Sequence, residues 1–389
     1  MRIVHIYKDY YPPVTGGIEI SVHRLVEGCR DVCGDLSVLV AGHRLFTYRS
    51  EVEGIPVTRV GQWGRLLSTP ISPTFPLHLR RRNADLLHYH LPHPTAVLSH
   101  LIARPKGRVV VHYHSDIVRQ VRYMPFYRPF LYRFLDQCDR IVVTSPDYIE
   151  TSPVLPRFRE KCRVVPLGVP INRFLPTPEV EDQAQIIRRR YGMKLVLFVG
   201  VLRYYKGVRY LIEAMQKVPG TLLIVGDGPL LGELMRQAAT LPHSNRIHFL
   251  GQVEDVAPYY YASDVFCLPS IYRSEAFGIV QVEAAAAGLP LVCTEIGTGT
   301  TFVNQHEETG LVVPPADSEA LTQSLTKLLD NTELRVRYGT AAQNRARTLF
   351  TQECMVRGIL SVYEEVLGCP IPLPENEPPT QEFIASDFR

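Results

Sequence analysis

Two doubly wound α/β domains, Rossmann-like and facing a central cleft, are what this sequence predicts. Three observations carry that prediction. Short apolar runs of buried-strand type recur along the 389 residues, with helical stretches between them. The alternation pauses at an extended, proline-rich stretch, residues 168–178, and then begins again. The chain is also longer than one hydrophobic core ordinarily serves.

In the first half, residues 2–7, 36–41, 56–60, 85–89, 108–113, 140–144 and 163–166 read as strands. Residues 61–82 read as loop, with Pro70, Pro73 and Pro76 and the run Arg80, Arg81, Arg82. Over 118–135, Arg119, Arg122, Arg128 and Arg133 alternate with apolar side chains, and Pro125 and Pro129 are expected to interrupt any single helix. In the second half the strands fall at 194–199, 221–225, 246–250, 265–268, 291–294 and 311–313, with helices between and after them. The first domain with its linker is placed at 1–184 and the second at 185–350. A helix within 351–368 is expected to return to the first domain. Residues 369–389 carry five prolines and few apolar residues, the composition of a disordered tail.

Hydrophobic content of 46% and charged content of 21% suit a soluble globular protein. No run approaches the roughly 18 apolar residues of a membrane span, and the chain opens on a strand rather than a leader peptide, so a cytoplasmic protein is expected. The eight cysteines are scattered through apolar patterns, which favours buried thiols over disulfides. Residues 1–184 hold 24 Lys and Arg against 17 Asp and Glu, and residues 185–389 hold 18 against 22. A basic first half calls for an anionic partner.

The chemistry concentrates at the carboxyl ends of strands, where ligands of doubly wound sheets gather. Glu275 and Glu283 stand with seven residues between them, and Gly278 lies just after the first. A helix starting near Phe277 would offer free N–H groups to an anion, and the eight steps from Glu275 to Glu283 would rise roughly 12 Å, less where the start is a turn. A sugar, a diphosphate and a ribose diol fit along that length, although two glutamates at this spacing also occur on any solvated helix face. Arg203 and Lys206 follow the first strand of the second half and suit a diphosphate, or are ordinary surface charge. Neither Lys206 nor Glu275 is expected in a hydrophobic core. Gly16 and Gly17 precede a helix and permit close backbone approach, as a plain turn also would. His88, His90, His93, His112 and His114 lie on separate strands without a cysteine ligand, so most are expected to be structural and one functional.

In their order and spacing these stretches resemble the retaining GT-B glycosyltransferases of glycosyltransferase family 4. The resemblance runs from Met1 to about Leu367 and is strongest over 250–315, with Ala-Ser-Asp-Val-Phe-Cys-Leu-Pro-Ser and Thr-Gly-Leu-Val-Val-Pro-Pro. His112-Tyr-His-Ser-Asp-Ile-Val-Arg-Gln120 and Gly297-Thr-Gly-Thr-Thr301 look nearest to a bacterial branch that moves mannose or related sugars onto lipid-linked surface glycans. The resemblance implies a role for each site residue. His114 and Glu275 would be catalytic, His114 bonding the donor sugar near its reactive face and Glu275 its hydroxyls. Gly16 and Gly17 would lie by the donor phosphates and the acceptor. Arg203 and Lys206 would neutralise the leaving diphosphate. The backbone of Phe277, Gly278 and Ile279 would meet sugar or phosphate, and Glu283 would hold the ribose.

Two departures stand out. Val201 occupies a position where the family often has Arg, so Arg203 must take over that contact. Gly297–Phe302 replaces the family's Gly-Gly-x-x-Glu stretch, and no site is assigned there.

The implied donor is GDP-mannose, with a UDP-sugar as the alternative. The implied acceptor is a lipid-diphosphate-linked glycan of exopolysaccharide, O-antigen or capsule assembly. No cofactor or metal is expected, since no Asp-x-Asp motif occurs, and no nucleic-acid partner. The basic first domain is expected to meet an anionic membrane surface from the cytoplasmic side. A nucleotide-sugar epimerase of the same fold and a non-catalytic binding protein are the competing readings.

Overall fold

The computed structural model describes residues 1–14 and 16–371. The chain divides into two compact units, Met1–Leu167 together with the segment from Gln352 onward, and Gly168–Thr351.

The first unit holds β1 (Arg2–Tyr7), β2 (Asp35–Ala41), β3 (Tyr48–Val52), β4 (Ile55–Val60), the hairpin β5 (Gly64–Leu66) and β6 (Thr69–Ile71), β7 (Leu86–Leu91), β8 (Arg108–Tyr113), β9 (Arg140–Val143) and β10 (Cys162–Val164). Its main sheet runs β10-β9-β8-β7-β1-β2-β4-β3. Every neighbour pair is parallel except β3 on β4. The central strands β7 and β8 are buried along almost their whole length, histidines included, because helices cover both faces.

Residues 61–82 are more than a loop. They contain the β5–β6 hairpin, whose tip residues Leu67 and Ser68 both take positive φ, and the helix Phe75–Arg80, which accommodates Pro76 in its first turn. The expected interruption at Pro125 and Pro129 also gives way to a single helix, Met124–Gln137. Pro125 sits in its first turn, where no N–H partner is needed, and Pro129 gives up one rung. The two arginine-rich stretches lie at opposite edges of the sheet. Residues 80–82 precede the amino end of β7, residues 119–133 follow the carboxyl end of β8, and β7 and β8 are parallel.

The second unit holds β11 (Leu195–Val199), β12 (Thr221–Val225), β13 (Ile247–Gly251), β14 (Val265–Leu268), β15 (Leu291–Thr294) and β16 (Gly310–Val313). All are parallel in the order β13-β12-β11-β14-β15-β16, the doubly wound Rossmann arrangement. Its switch point lies between β11 and β14.

A domain boundary at 184 would cut the helix Pro178–Tyr191. Residues 168–184 pack with the second unit. Val169 N–H donates to the Phe350 carbonyl at 2.9 Å, and the Tyr261 hydroxyl to the carbonyl of buried Phe174 at 2.7 Å. The last helix, Gln352–Leu367, packs in the first unit on the helix Gly17–Cys33. There Gln352 Nε2 donates to the Arg24 carbonyl, and a Cβ on Gly28 would fall 2.4 Å from Val356 Cγ2. Of the expected tail, residues 372–389 lie outside the described residues. The cysteines are free thiols and six of them are buried.

Candidate active site

Lys206 ends a tight turn, Tyr204–Lys206, that follows β11. Gly207 comes next at φ 63°, and a Cβ there would stand 2.0 Å from the Pro269 carbonyl, so only glycine lets this turn press against the end of β14. The close approach brings Lys206 Nζ to 2.5 Å from Glu275 Oε2. Both residues are buried, at 7% and 8% exposure. The expectation that they lie outside the core is therefore corrected: charged side chains default to the surface, but a paired ammonium and carboxylate can be enclosed.

Two further groups hold Glu275, and a third holds its neighbour Ala276. Ser270 Oγ donates to its Oε2 at 3.1 Å. Thr298 Oγ1 donates to its backbone carbonyl at 2.8 Å, and Gly299 N–H donates to the Ala276 carbonyl at 2.9 Å. The stretch 297–302, to which no site was assigned, thus buttresses the glutamate loop.

The helix begins at Ile279, two residues later than expected, with Gly278 at its N-cap in the left-handed region at φ 76°. Phe277 is not part of it. Its ring is buried and packs edge-on to Phe350 at 5.8 Å, which leaves its backbone, not its side chain, for a ligand. Of the eight steps from Glu275 to Glu283 only the last four are helical, rising about 6 Å, because residues 275–278 form a bend before the helix. The Tyr260 hydroxyl, pushed up by burial and then by the neighbouring charge of Glu283, donates to Glu283 Oε2 at 3.0 Å. Arg203, at the start of the turn Tyr204–Lys206, is exposed. Burial raises the Tyr205 hydroxyl, Lys206 and Arg203 lower it, and Glu275 raises it, so all three site charges reach that point.

Gly16, Gly17 and His114 belong to the first unit. Gly16 is extended (φ −75°) at the N-cap of the helix Gly17–Cys33. A Cβ on Gly17 would meet nothing within 4 Å, which leaves its backbone approachable. His114 follows the carboxyl end of β8, its N–H donating to the Leu91 carbonyl at 3.0 Å. Tyr7 joins the two places. Its ring centroid is 6.4 Å from that of His114, and its hydroxyl is raised by burial and then by Glu19 in the first turn of that helix.

Around His114 the histidines of three adjacent strands are enclosed together. His5, His88, His90, His112 and His114 are each at most 3% exposed. His5 pairs in register with His88 and His90 with His112, and alternation puts the cluster on one face of the sheet. Ring nitrogens of His5, His88 and His90, and of His90, His112 and His114, lie close enough together to consider a shared ion. The ring geometry speaks against it. His112 and His114 lie face to face at 4.0 Å and 14°, so their in-plane lone pairs run side by side, and His5 Nδ1 and His90 Nε2 are already 3.0 Å apart in a mutual hydrogen bond.

Ser270, Thr298 and Tyr260 were missed from sequence. Ser270 reaches the Glu275 carboxylate within one loop, and Thr298 reaches its backbone carbonyl from the next strand's loop. Tyr260 reaches Glu283 from a neighbouring helix, and the fold alone creates these contacts.

A pair of Rossmann-like units with charged groups gathered at a switch point is the GT-B architecture of glycosyltransferases. Residues 179–345 match the family described as glycosyl transferases group 1, and residues 15–173 match glycosyltransferase family 4. The chain is 36% identical to the O-antigen chain mannosyltransferase C of Escherichia coli, covering 94% of this chain and 99% of that protein. It is 39% identical to the D-rhamnosyltransferase WbpZ of Pseudomonas aeruginosa, covering 90% and 92%. Among solved structures, HepE of Anabaena in complex with UDP superimposes with a TM-score of 0.77 at 20% identity, covering 94% of this chain and 100% of that one. Sucrose-phosphate synthase of Thermosynechococcus elongatus does so at 0.78 and 23%, covering 94% and 99%. The chain belongs to glycosyltransferase family 4 and is a glycosyltransferase.

Proposed function

We propose that this protein is a retaining hexosyltransferase that carries mannose, or its 6-deoxy counterpart D-rhamnose, from a nucleotide diphosphate donor to a lipid-diphosphate-linked glycan in O-antigen assembly. The observation that carries the reading is the buried Lys206–Glu275 pair at the head of the helix Ile279–Ala286. Breaking a glycosyl–phosphate bond leaves negative charge on the diphosphate and positive charge on the sugar. Lys206, Arg203 and the N–H groups at the helix start are preorganised for the first, and Glu275 for the sugar hydroxyls. Glu283, held by Tyr260, is left to bond a ribose diol. His114 contacts the donor sugar, with the Gly16–Gly17 backbone beside the phosphates and the acceptor. The acceptor hydroxyl attacks the face from which the diphosphate departs and passes its proton to the leaving phosphate, so no enzymic nucleophile is needed. The mannosyltransferase and D-rhamnosyltransferase names of the two relatives above support the choice of sugar.

The test is a donor panel of GDP-mannose, GDP-D-rhamnose and UDP-glucose against polyprenyl-diphosphate glycans, read by mass and anomeric configuration. GDP-mannose or GDP-D-rhamnose should transfer with retention. Inert GDP donors beside a reactive UDP-glucose, or an inverted product, would overturn the donor or the stereochemistry. Conversion without an acceptor would point to an epimerase. Activity should survive a chelator, because side-chain cations supply the positive charge. Loss on chelation with recovery on adding magnesium would refute that.

We further propose that the first unit meets an anionic membrane through the edge at the carboxyl ends of its strands. No helix among the described residues is long and apolar enough to cross a membrane. Arg119, Arg122, Arg128 and Arg133 are exposed there together with Val121, Tyr123, Phe126 and Phe130, while Leu131 and Phe134 face the core. The hairpin contributes exposed Trp63, Leu66 and Leu67, and Gln120 Nε2 donates to the Leu67 carbonyl, which ties it to the same edge. Each cation near such a surface contributes about 1 kcal/mol, and the apolar side chains can enter the headgroup region. Arg80, Arg81 and Arg82, at the other edge, are not part of this surface. Flotation with anionic liposomes should fall with salt and with Arg119, Arg122 and Arg128 changed to Glu. A protein that ignores anionic liposomes at low salt would rule the surface out.

A further inference from the structure

The buried histidines are wired together. Tyr363 Oη, on the last helix, is 2.6 Å from His88 Nδ1 and 3.4 Å from His5 Nε2. His5 Nδ1 is 3.0 Å from His90 Nε2, and His90 Nδ1 is 2.9 Å from His114 Nε2. At the two ends, His88 Nε2 and His114 Nδ1 have no hydrogen-bond partner among the described residues. Burial holds His5 and His112 at about 3 and pushes His88, His90 and His114 well below the ordinary value, so the rings are neutral.

A neutral imidazole carries one proton, and a phenol has one to give. If all four contacts are to be hydrogen bonds and the enclosed Tyr363 O–H is itself to have an acceptor, only two arrangements exist. In the first, His88 Nδ1 donates to Tyr363, Tyr363 to His5 Nε2, His5 Nδ1 to His90 and His90 Nδ1 to His114 Nε2. The proton of His114 then sits on Nδ1. In the second, every bond is reversed. His114 Nε2 donates to His90, and the proton of His88 is stranded on Nε2, where nothing accepts it. His93 and His112 leave a proton without a partner in either case and do not discriminate. An enclosed N–H without an acceptor costs more than an enclosed lone pair without a donor. The first arrangement puts its single unmet N–H on the residue read above as a substrate contact, where a ligand oxygen can meet it. The second puts it on His88, inside β7; both end nitrogens are enclosed, but only His114 lies past the carboxyl end of its strand.

We propose that Tyr363, His5 and His90 are positioning residues that hold His114 as a neutral Nδ1–H donor to an oxygen of the bound donor substrate, not as a base. The Nδ1–H form is the one a free histidine side chain disfavours in water, so its presence is diagnostic. The functional half of the proposal rests on His114 touching substrate; the tautomer does not.

The test uses the full chain with 15N-labelled histidine. Side-chain spectra near neutral pH, assigned through His114→Gln, should show His114 protonated at Nδ1. In Tyr363→Phe that signal should shift toward the Nε2–H form, because the two arrangements become nearly equivalent. His114 protonated at Nε2 in the native protein, or unchanged by Tyr363→Phe, would overturn the relay. For activity, His90→Leu should lower kcat about tenfold, the worth of one hydrogen bond. His90→Asn, whose amide can stand where Nδ1 stood, should recover most of the loss. Equal loss in both variants at equal melting temperature would overturn the positioning role. Unaltered transfer by His114→Ala, with the native spectrum as expected, would sink the substrate contact and leave the tautomer standing.

Discussion

Replacing Lys206 by alanine should cost about 3–5 kcal/mol of stability in the second unit, and Glu275→Ala should do the same. Each leaves one enclosed charge without its partner, where the pair now stands at 2.5 Å. Each should also lower turnover by on the order of 10²-fold or more. Stability and chemistry are separable in the double variant Lys206→Met with Glu275→Gln. It encloses no net charge and keeps similar volume, so melting should return to within about 1 kcal/mol of native while turnover stays lost. Urea denaturation of the singles and the double, with kcat for each, checks both statements. Near-native activity in the double variant would remove the pair from the reaction. A double variant as unstable as the singles would mean that the cost lies in packing, not in charge.

Mild acid should unfold the first unit before the second. His5, His93 and His112 are held at about 3 and His100 at about 4, in each case because burial opposes the charged form. Their unfolded-state value is 6.5. Since the folded values are depressed, the unfolded chain binds more protons below 6.5. The contribution to stability is therefore complete above that pH and is lost as pH falls from 6.5 toward 3. Each such histidine steepens the loss by about 1.4 kcal/mol per pH unit. In the second unit His248 is lowered too, but it is only partly enclosed. Hydrogen exchange followed from pH 7.5 to 5 should show protection of β1, β7 and β8 collapsing while β11 and β14 hold. His112→Leu should flatten the slope. Equal slopes in both units would refute this account.

Much of the fold was legible because several parallel strands are apolar from end to end, as β11 and β14 are, and runs of that kind need no partner to be recognised. Edge elements were not. Tyr48-Arg-Ser-Glu-Val52 is polar and buries little, and the β5–β6 hairpin turns on Leu67 and Ser68 without the glycine or asparagine that marks such turns. At the site, the residue types were legible and their partners were not. Lys206 and Glu275 were both singled out, but 69 positions separate them, and only the pairing of β11 with β14 makes them neighbours. The His-x-His repeats at 88–90 and 112–114 were visible too. What joins them is strand register, together with a tyrosine from the far end of the chain.

That tyrosine bears on how the protein is made. Residues 168–351 form a unit inserted into another, and the outer one takes its last helix from beyond the insertion. A ribosome delivers β1 to β10 first and Tyr363 only after the whole inner unit has emerged. Until then His5 and His88 lack their phenol, and the face of the helix Gly17–Cys33 that receives Val356 is uncovered. The inner unit can close as soon as residue 351 is out, because Val169 and Thr351 bridge its two ends. The half synthesised first is thus the half completed last, and it waits through translation with an open seam of the kind that draws chaperones.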